Sequence, residues 1–474
     1  MKNMKIIDDM VIKAGTRARE QRNGSLQPAF TGPVQWPVEC TVGPGLEGAI
    51  ACESTVGYVN GSQGALIYRG YDVFDLCAHS TFEEVTFLLI HGKLPTAEQL
   101  KGFNQRLVKY RRVPAVLRQL MSFPVEKMNT MAALRLGTTL MRREYSELEK
   151  EYPRREQRNS IGTDEDSIAM ETMPMGEEQA VYEFGNEHAR RGMSLDEEAE
   201  DMFKGYESAY HLVGGLATLT AAISRLREGL MPLEPNPELG HAANYLYMIT
   251  GKVPTPAEER IMDISLILHA DHGMNASTFA AVVVASTLSD IFASVGSGIA
   301  ALNGPLHGGA NEQVVKMLQQ IGSAENVKTW FARVQARKEK VMGFGHRVYK
   351  TFDPRALVLG PLAHYYSSRN KDIKVLYDTA VAVEKEVTAA LGASKGIYPN
   401  VDFYSGLVYS SLGIPIELFT PTFAVSRVSG WTARILEYLQ NNRLFRPRAI
   451  YTGPLNLEYE PIEKRGKKSR SKRA

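Results

Sequence analysis

The sequence predicts a mainly α fold with a short β-hairpin region near the N-terminus. Three observations carry that prediction. Long apolar-periodic runs rich in Ala, Gly and Ser fill Tyr206 to Ile321. Alternating β-branched and aromatic runs are confined to the first hundred residues. Hydrophobic residues make up 44% of the 474 and charged residues 23%, which are ordinary globular values and exclude a collagen-like, coiled-coil or wholly disordered chain.

Taken in order, residues 1–37 are polar and basic, with no apolar core of a secretory signal, and Asp8, Asp9 and Glu20 argue against a mitochondrial transit peptide. They read as a polar arm. Asn60-Gly61, between two β-type runs, signals a hairpin. Helical periodicity follows over Phe82 to His91, Ala97 to Val108 and Met128 to Arg142, with Thr81 and Glu84 spaced as a capping box. Residues 144–201 are acidic and poor in large apolar side chains. Such a segment buries too little surface to offset its ordering entropy, ~1–2 kcal/mol per residue, and reads as a surface insertion. From Tyr206 to Ile321, small residues let helix axes approach closely, as in a buried bundle. Further helices are expected over 324–340, 355–368, 374–391 and 421–442. Residues 457–474 form a basic tail, either a solvated end or a contact for an anionic surface.

Lys plus Arg total 55 against 53 Asp plus Glu, a net charge of +2, too small to argue for nucleic acid as the main partner. No window reaches the ~18 uninterrupted apolar residues of a membrane span. Three cysteines, without a CxxC pair, argue against a disulfide framework or a cysteine zinc site and for a reducing compartment, here the cytoplasm.

Three segments concentrate polar residues that a bundle does not need. In Asn303–Glu312, His307 follows Pro305 and precedes two glycines at a helix junction. Such a histidine either caps a helix end or presents its ring to a cleft. In Val341–Arg355, Gly343 and Gly345 precede His346, which stands beside Arg347, Lys350 and Arg355. Cations around one imidazole suit an anion site, although a solvated charge run explains them as well. The pattern lacks the third glycine of a dinucleotide fingerprint and is not a P-loop. In Lys395–Gly406, Asp402 sits between Pro399-Asn400 and a Ser405-Gly406 turn, where an aspartate is ordinarily a cap or turn residue. His269 and His272 share an i,i+3 face but do not form the HExxH zinc arrangement. Arg427 lies in the apolar run of the last long helix, so it needs a partner, and a ligand carboxylate is a suitable one.

In this order and spacing the segments HADHGMNAST, LNGPLHGGANE, GFGHRVYKTFDPR, YPNVDFYSG and LFTPTFAVSRVSGW through FRPRAIYTGP resemble the citrate synthase family. The resemblance runs from about Val38 to Pro454, and the acidic segment is its main departure. It implies a large helical domain (38–310 with 414–456), a small one (311–413), a cleft between them and a homodimer. It implies Si-type condensation of acetyl-CoA with oxaloacetate, with no metal or other cofactor, at the entry to the tricarboxylic acid cycle. His307, His346 and Asp402 match the catalytic positions. His272, Arg355 and Arg427 match contacts to oxaloacetate, and Arg446 the arginine supplied by the second subunit. Gly343, Gly345, Arg347, Lys350 and Lys395 are the candidates for CoA. Two alternatives stand beside this reading: a 2-methylcitrate synthase that takes propionyl-CoA, and a non-catalytic scaffold.

Overall fold

The computed structural model describes residues 2–28, 35–151, 195–368, 370–459 and 461–462. Most of the acidic insertion and of the basic tail lies outside these residues.

The chain opens with helix α1 (Lys2–Glu20), where a polar arm was expected. Ile7, Val11, Ala14 and Ala18 are buried. Their 4-3-4 spacing is a helical stripe that the polar composition conceals. Strands β1 (Gly57–Asn60), β2 (Ala65–Tyr68) and β3 (Tyr71–Asp72) form an antiparallel sheet in sequence order. The expected hairpin closes through Gly61–Gly64, with Gly57 opposite Tyr68 and Asn60 opposite Ala65. The second turn is Arg69-Gly70, both at positive φ (47° and 89°), the geometry of a tight hairpin turn. An arginine in that position gives no turn signal, which is why the sequence did not announce β3.

Helices α2 (Val73–His79), α3 (Phe82–His91), α4 (Ala97–Tyr110), α5 (Pro114–Leu120) and α6 (Thr130–Glu151) follow. Thr81 Oγ1 accepts from the Glu84 N–H at 3.2 Å, as its spacing predicts. The reciprocal capping boxes are elsewhere, at Thr96/Gln99 ahead of α4 and at Thr255/Glu258. The apolar stretch then gives α7 (Leu195–Arg227), α8 (His241–Thr250), α9 (Pro256–His269), α10 (Ala276–Ala285) and α11 (Ile291–Leu302). Beyond a glycine-rich junction come α12 (Ala310–Ile321), α13 (Val327–Ala336), α14 (Pro354–Ser367), α15 (Lys371–Lys395), α16 (Val401–Ser411) and α17 (Phe419–Gln440).

Helix α17 is the axle of the bundle and packs on α3, α7, α9, α10 and α11. It is buried on nearly every side, from Phe419 through Leu436, as an all-round apolar helix requires. Gly430 permits the tightest crossing: a Cβ there would lie 2.2 Å from the Ala270 carbonyl oxygen. A second group, α12 to α16, packs mostly on itself, with α14 and α12 both against α16. Helix α1 touches both groups, leaning on α2 and α9 and also on α14. Among the described residues its ion pairs reach the first group, Asp8 to Arg260 (2.9 Å) and Arg19 to Asp75 (2.9 Å), and Arg22, just past the helix, pairs with Asp72 (2.7 Å).

Candidate active site

A cavity of about 2000 Å³ opens between the two groups of helices. Its walls are the segment before β1, the start of α10, the α11–α12 junction, the run from α13 through His346, the start of α16 and one face of α17. His272, His307, Gly343, Gly345, His346, Arg347, Arg355, Lys395, Asp402 and Arg427 all line it. Lys350 and Arg446 do not. Lys350 Nζ donates to the Arg347 carbonyl at 3.2 Å, and Arg446 is exposed, with Nη1 donating to the Pro447 carbonyl at 3.2 Å.

Local rules place each group. Asp402 is not in a loop, as its neighbours suggested, and Ser405-Gly406 is no turn. Asn400 caps α16, its Oδ1 accepting from the Asp402 N–H at 3.0 Å, so Asp402 stands in the first helical turn. The Gly-Phe-Gly run is stitched to the same cap. Asn400 N donates to Gly343 O and Gly345 N to Tyr398 O, both at 2.9 Å. Gly343 has φ 78°, and a Cβ on it would meet Val314 at 2.7 Å and Phe403 at 2.9 Å. Only glycine fits there, and this close pass carries His346 to the cavity that Asp402 also lines.

The histidines are neutral. His307 Nε2 lies 2.9 Å from Ser277 Oγ and accepts from the Ser277 N–H at 3.2 Å. A backbone N–H is only ever a donor, so Nε2 carries a lone pair and the hydrogen sits on Nδ1. Burial, then the charge of Arg427, lowers its pKa to about 4. His346 Nδ1 accepts from the Val348 N–H (2.9 Å) and the Tyr349 N–H (3.3 Å), which puts its hydrogen on Nε2. Burial, then Arg355, lowers this ring to about 4 as well. His272 is held well below its ordinary value by burial and then by Arg355, and its Nε2 is 3.1 Å from the Tyr349 hydroxyl. Asp402 goes the other way. Burial raises its pKa to about 7 against the lowering pull of Arg355.

The arginines differ from one another. Arg355 is not a free cation. Its Nε and Nη2 fork onto Asp353 at 2.9 and 2.7 Å. Burial opposes its charge, but Asp353 outweighs burial and keeps it protonated. Asp353 Oδ2 also accepts from the Val401 N–H at 3.1 Å, tying Arg355 to the helix that carries Asp402. Arg427 is fully buried. Its Nε donates to the His269 carbonyl at 2.6 Å, its guanidinium lies 4.7 Å from the Phe423 ring centre, and Nη2 has no partner among the described residues. A buried guanidinium with an open N–H edge on a cavity is suited to an anionic ligand.

Sequence reasoning missed Asp353, Ser277 and Tyr349. Asp353 had a signal, since Asp-Pro-Arg places a carboxylate at the N-cap of α14, two residues before Arg355. Ser277 lies within the HADHGMNAST block, but nothing in that block pairs it with the His307 ring, 30 residues on. Lys338 and Lys340 also line the cavity and add to its cations.

The fold and the cleft are those of an enzyme: buried arginines stand beside two neutral histidines and one carboxyl of raised proton affinity. Residues 45–448 match the family model described as citrate synthase, C-terminal domain. The chain is 40% identical over 427 residues to the citrate synthase of Deinococcus radiodurans, covering 90% of this chain and 99% of that protein. It is 34% identical over 412 residues to the citrate/2-methylcitrate synthase of Bacillus subtilis, covering 87% and 96%. Its fold is similar to the crystal structure of citrate synthase from Pyrobaculum aerophilum, with TM-score 0.75, 38% identity and coverage of 92% and 100%. It is also similar to a ternary complex of Thermoplasma acidophilum citrate synthase with carboxymethyl coenzyme A and oxaloacetate, with TM-score 0.73, 31% identity and coverage of 88% and 97%. The chain belongs to the citrate synthase family. Its activity is that of a citrate synthase, an acyltransferase that builds a carbon–carbon bond.

Proposed function

We propose that the cleft condenses acetyl-CoA with oxaloacetate at the si face of its ketone, with Asp402, His307 and His346 dividing the proton transfers. One observation carries the reading. The three groups line one cavity, and their environments push the carboxyl up and both imidazoles down. A thioester methyl is a very weak carbon acid, so it needs a base on the proton and a donor on the carbonyl oxygen together. Asp402 takes the proton as the C–H pair moves into the enol. Nδ1–H of His307 stabilises the enol oxygen. Nε2–H of His346 polarises the ketone and gives its proton to the alkoxide formed as the new C–C bond closes. Water then cleaves the citryl thioester, with its oxygen going to the new carboxyl and a hydrogen to the CoA sulfur. Each positioned acid or base is worth ~10²–10⁴-fold.

Arg427, Arg355 and His272 are the contacts for the two carboxylates of oxaloacetate. Arg347, Lys395 and the Gly343–Gly345 backbone face the CoA side, and Lys350, bonded to the Arg347 carbonyl, stands next to them. The large unit is 38–310 with 414–456 and the small unit 311–413, closing over the substrates in the cytoplasm. A homodimer completes each site with Arg446 from the partner. The stretch after α17 supports this: Leu444, Ile450, Tyr451, Leu455, Leu457 and Tyr459 are exposed in the single chain. A surface that apolar is suited to a second copy.

The test is thiol release with oxaloacetate and either acetyl-CoA or propionyl-CoA. Turnover with acetyl-CoA well above that with propionyl-CoA is expected. The reverse would make the chain a 2-methylcitrate synthase, and release with neither would leave the scaffold.

A further inference from the structure

The inner face of α16 carries polar atoms that the chemistry above does not use. Asp402, Ser405 and Tyr409 stand at i, i+3 and i+7, so they form one row, ~10 Å long at 1.5 Å per residue. Ser405 and Tyr409 are fully buried. Asp402 is half-buried at the cleft, with its Oδ1 turned inward and buried. Asp402 Oδ1, Ser405 Oγ and Tyr409 Oη have no hydrogen-bond partner among the described residues. For Ser405 this is unusual. A helical hydroxyl ordinarily bonds back to the carbonyl four residues earlier, as Thr379 does to Val375 at 2.7 Å. Ser405 turns away from its own backbone, into the interior.

Facing the row from the end of α9 is His269, also fully buried. Its Nδ1 donates to the Ser265 carbonyl at 2.7 Å, which leaves Nε2 as a lone pair, and that atom too has no partner among the described residues. Its ring lies 6.1 Å from the Tyr409 ring and 4.6 Å from that of Phe423. Buried polar atoms without partners are costly, and where they converge they hold ordered water.

We propose that a water-holding pocket lies behind the base: Ser405 Oγ, Tyr409 Oη and His269 Nε2 anchor ordered water against Asp402 Oδ1. Ser405 and Tyr409 are thus positioning residues for the reaction. The hydroxyls donate to the water, and the water donates to Oδ1 and to His269 Nε2. The inner oxygen is solvated, while the outer one stays bare for the substrate proton. The charged and titratable groups facing Asp402 are Arg355 and Asp353 at the start of α14, Arg427 on α17 and Tyr409 on its own helix. Tyr245, next beyond Tyr409, is already bonded to Thr422 at 2.7 Å. None of these supplies Oδ1 with a hydrogen. The water is therefore the donor that keeps the carboxylate usable near neutral pH.

This inference rests on Asp402 being the base. Its test is Tyr409→Phe and Ser405→Ala, singly and together, with a crystal structure of the unaltered enzyme at a resolution that shows water. Density bridging Asp402 Oδ1 to Ser405 or Tyr409 is expected. In the double variant the acid limb of kcat/KM for acetyl-CoA is expected to move up by about one pH unit, with KM for oxaloacetate unchanged. A merely structural role would not move the limb. An unmoved limb in all variants, or an unaltered enzyme without bridging water, overturns the pocket. Asp402→Asn separates the two readings: an active Asn variant overturns the base itself, whereas an inactive one beside unmoved limbs overturns only the pocket.

Discussion

Protonating His307 would set its Nε2–H against the Ser277 N–H, 3.2 Å away, so the ring resists a second proton by geometry as well as by burial. His346 is constrained in the same way by two backbone donors. With both histidines near 4 and Asp402 near 7, the acid limb of activity belongs to the carboxyl. Activity is expected to fall as pH drops through about 7. A pH profile of kcat/KM with its only acid limb near 4 would contradict this. Asp402→Asn or His307→Ala is expected to lower kcat by at least ~10²-fold with the fold preserved. The same carboxyl affects stability. Its pKa is raised by burial from 3.8 in the open chain to about 7 in the folded one, so the protonated form favours folding. That stability is complete below 3.8 and is lost as pH rises through about 7. Asp402→Asn keeps it at all pH values. The Tm of the Asn variant is therefore expected to exceed that of the parent by a margin that grows from about pH 4 to 7 and then levels off, read by thermal scans across that range.

At the scale of elements, the turn of the first hairpin reaches the catalytic segment. The Gly61 carbonyl accepts from the Lys350 N–H at 3.0 Å, and a Cβ on Gly61 would lie 2.0 Å from the Val348 carbonyl oxygen. Gly61→Ala is thus expected to push the run after His346 away from the cavity. Its kcat is expected to drop while the helices melt near their usual temperature, as circular dichroism and turnover together would show. Unchanged turnover would mean that the segment yields without moving the ring. Helix α3 was legible to the residue, Phe82 to His91, because a capping threonine, an apolar period and a closing Gly92 all agree. Helix α17 was read as 421–442 and found at Phe419–Gln440, since Pro421 looks like a start but sits within the first turn. Most residues that line the cavity were legible as motifs, because each motif is a local backbone device, a cap or a positive-φ glycine, that must be written contiguously. Ser277 and the Asp402–Ser405–Tyr409 row were not. Their meaning depends on which helix faces which, and no short segment encodes that.

For the whole molecule, the proposed dimer builds each site from two chains. Among the described residues Arg446 bonds to its neighbour Pro447 and stays exposed. We expect Arg446→Ala and Asp402→Asn each to be nearly inactive and their mixture, after subunit exchange, to regain activity. In the mixed dimer one site carries both lesions and the other carries neither. No recovery despite demonstrated exchange would place Arg446 outside the site.

Helix α1 lies outside the matched family model, which begins at residue 45, yet it leans on α14, the helix whose first turn carries Arg355. Its ion pairs fasten it to the opposite side of the cleft. The linker after it, around Asn23 to Gln27, is non-helical and largely exposed, the kind of strand a protease cuts first. A single nick there would leave every residue of the cleft intact and still free one of the supports of α14. The digest would be read as weaker grip on oxaloacetate, more than three hundred residues downstream of the cut, before any loss of helix was visible.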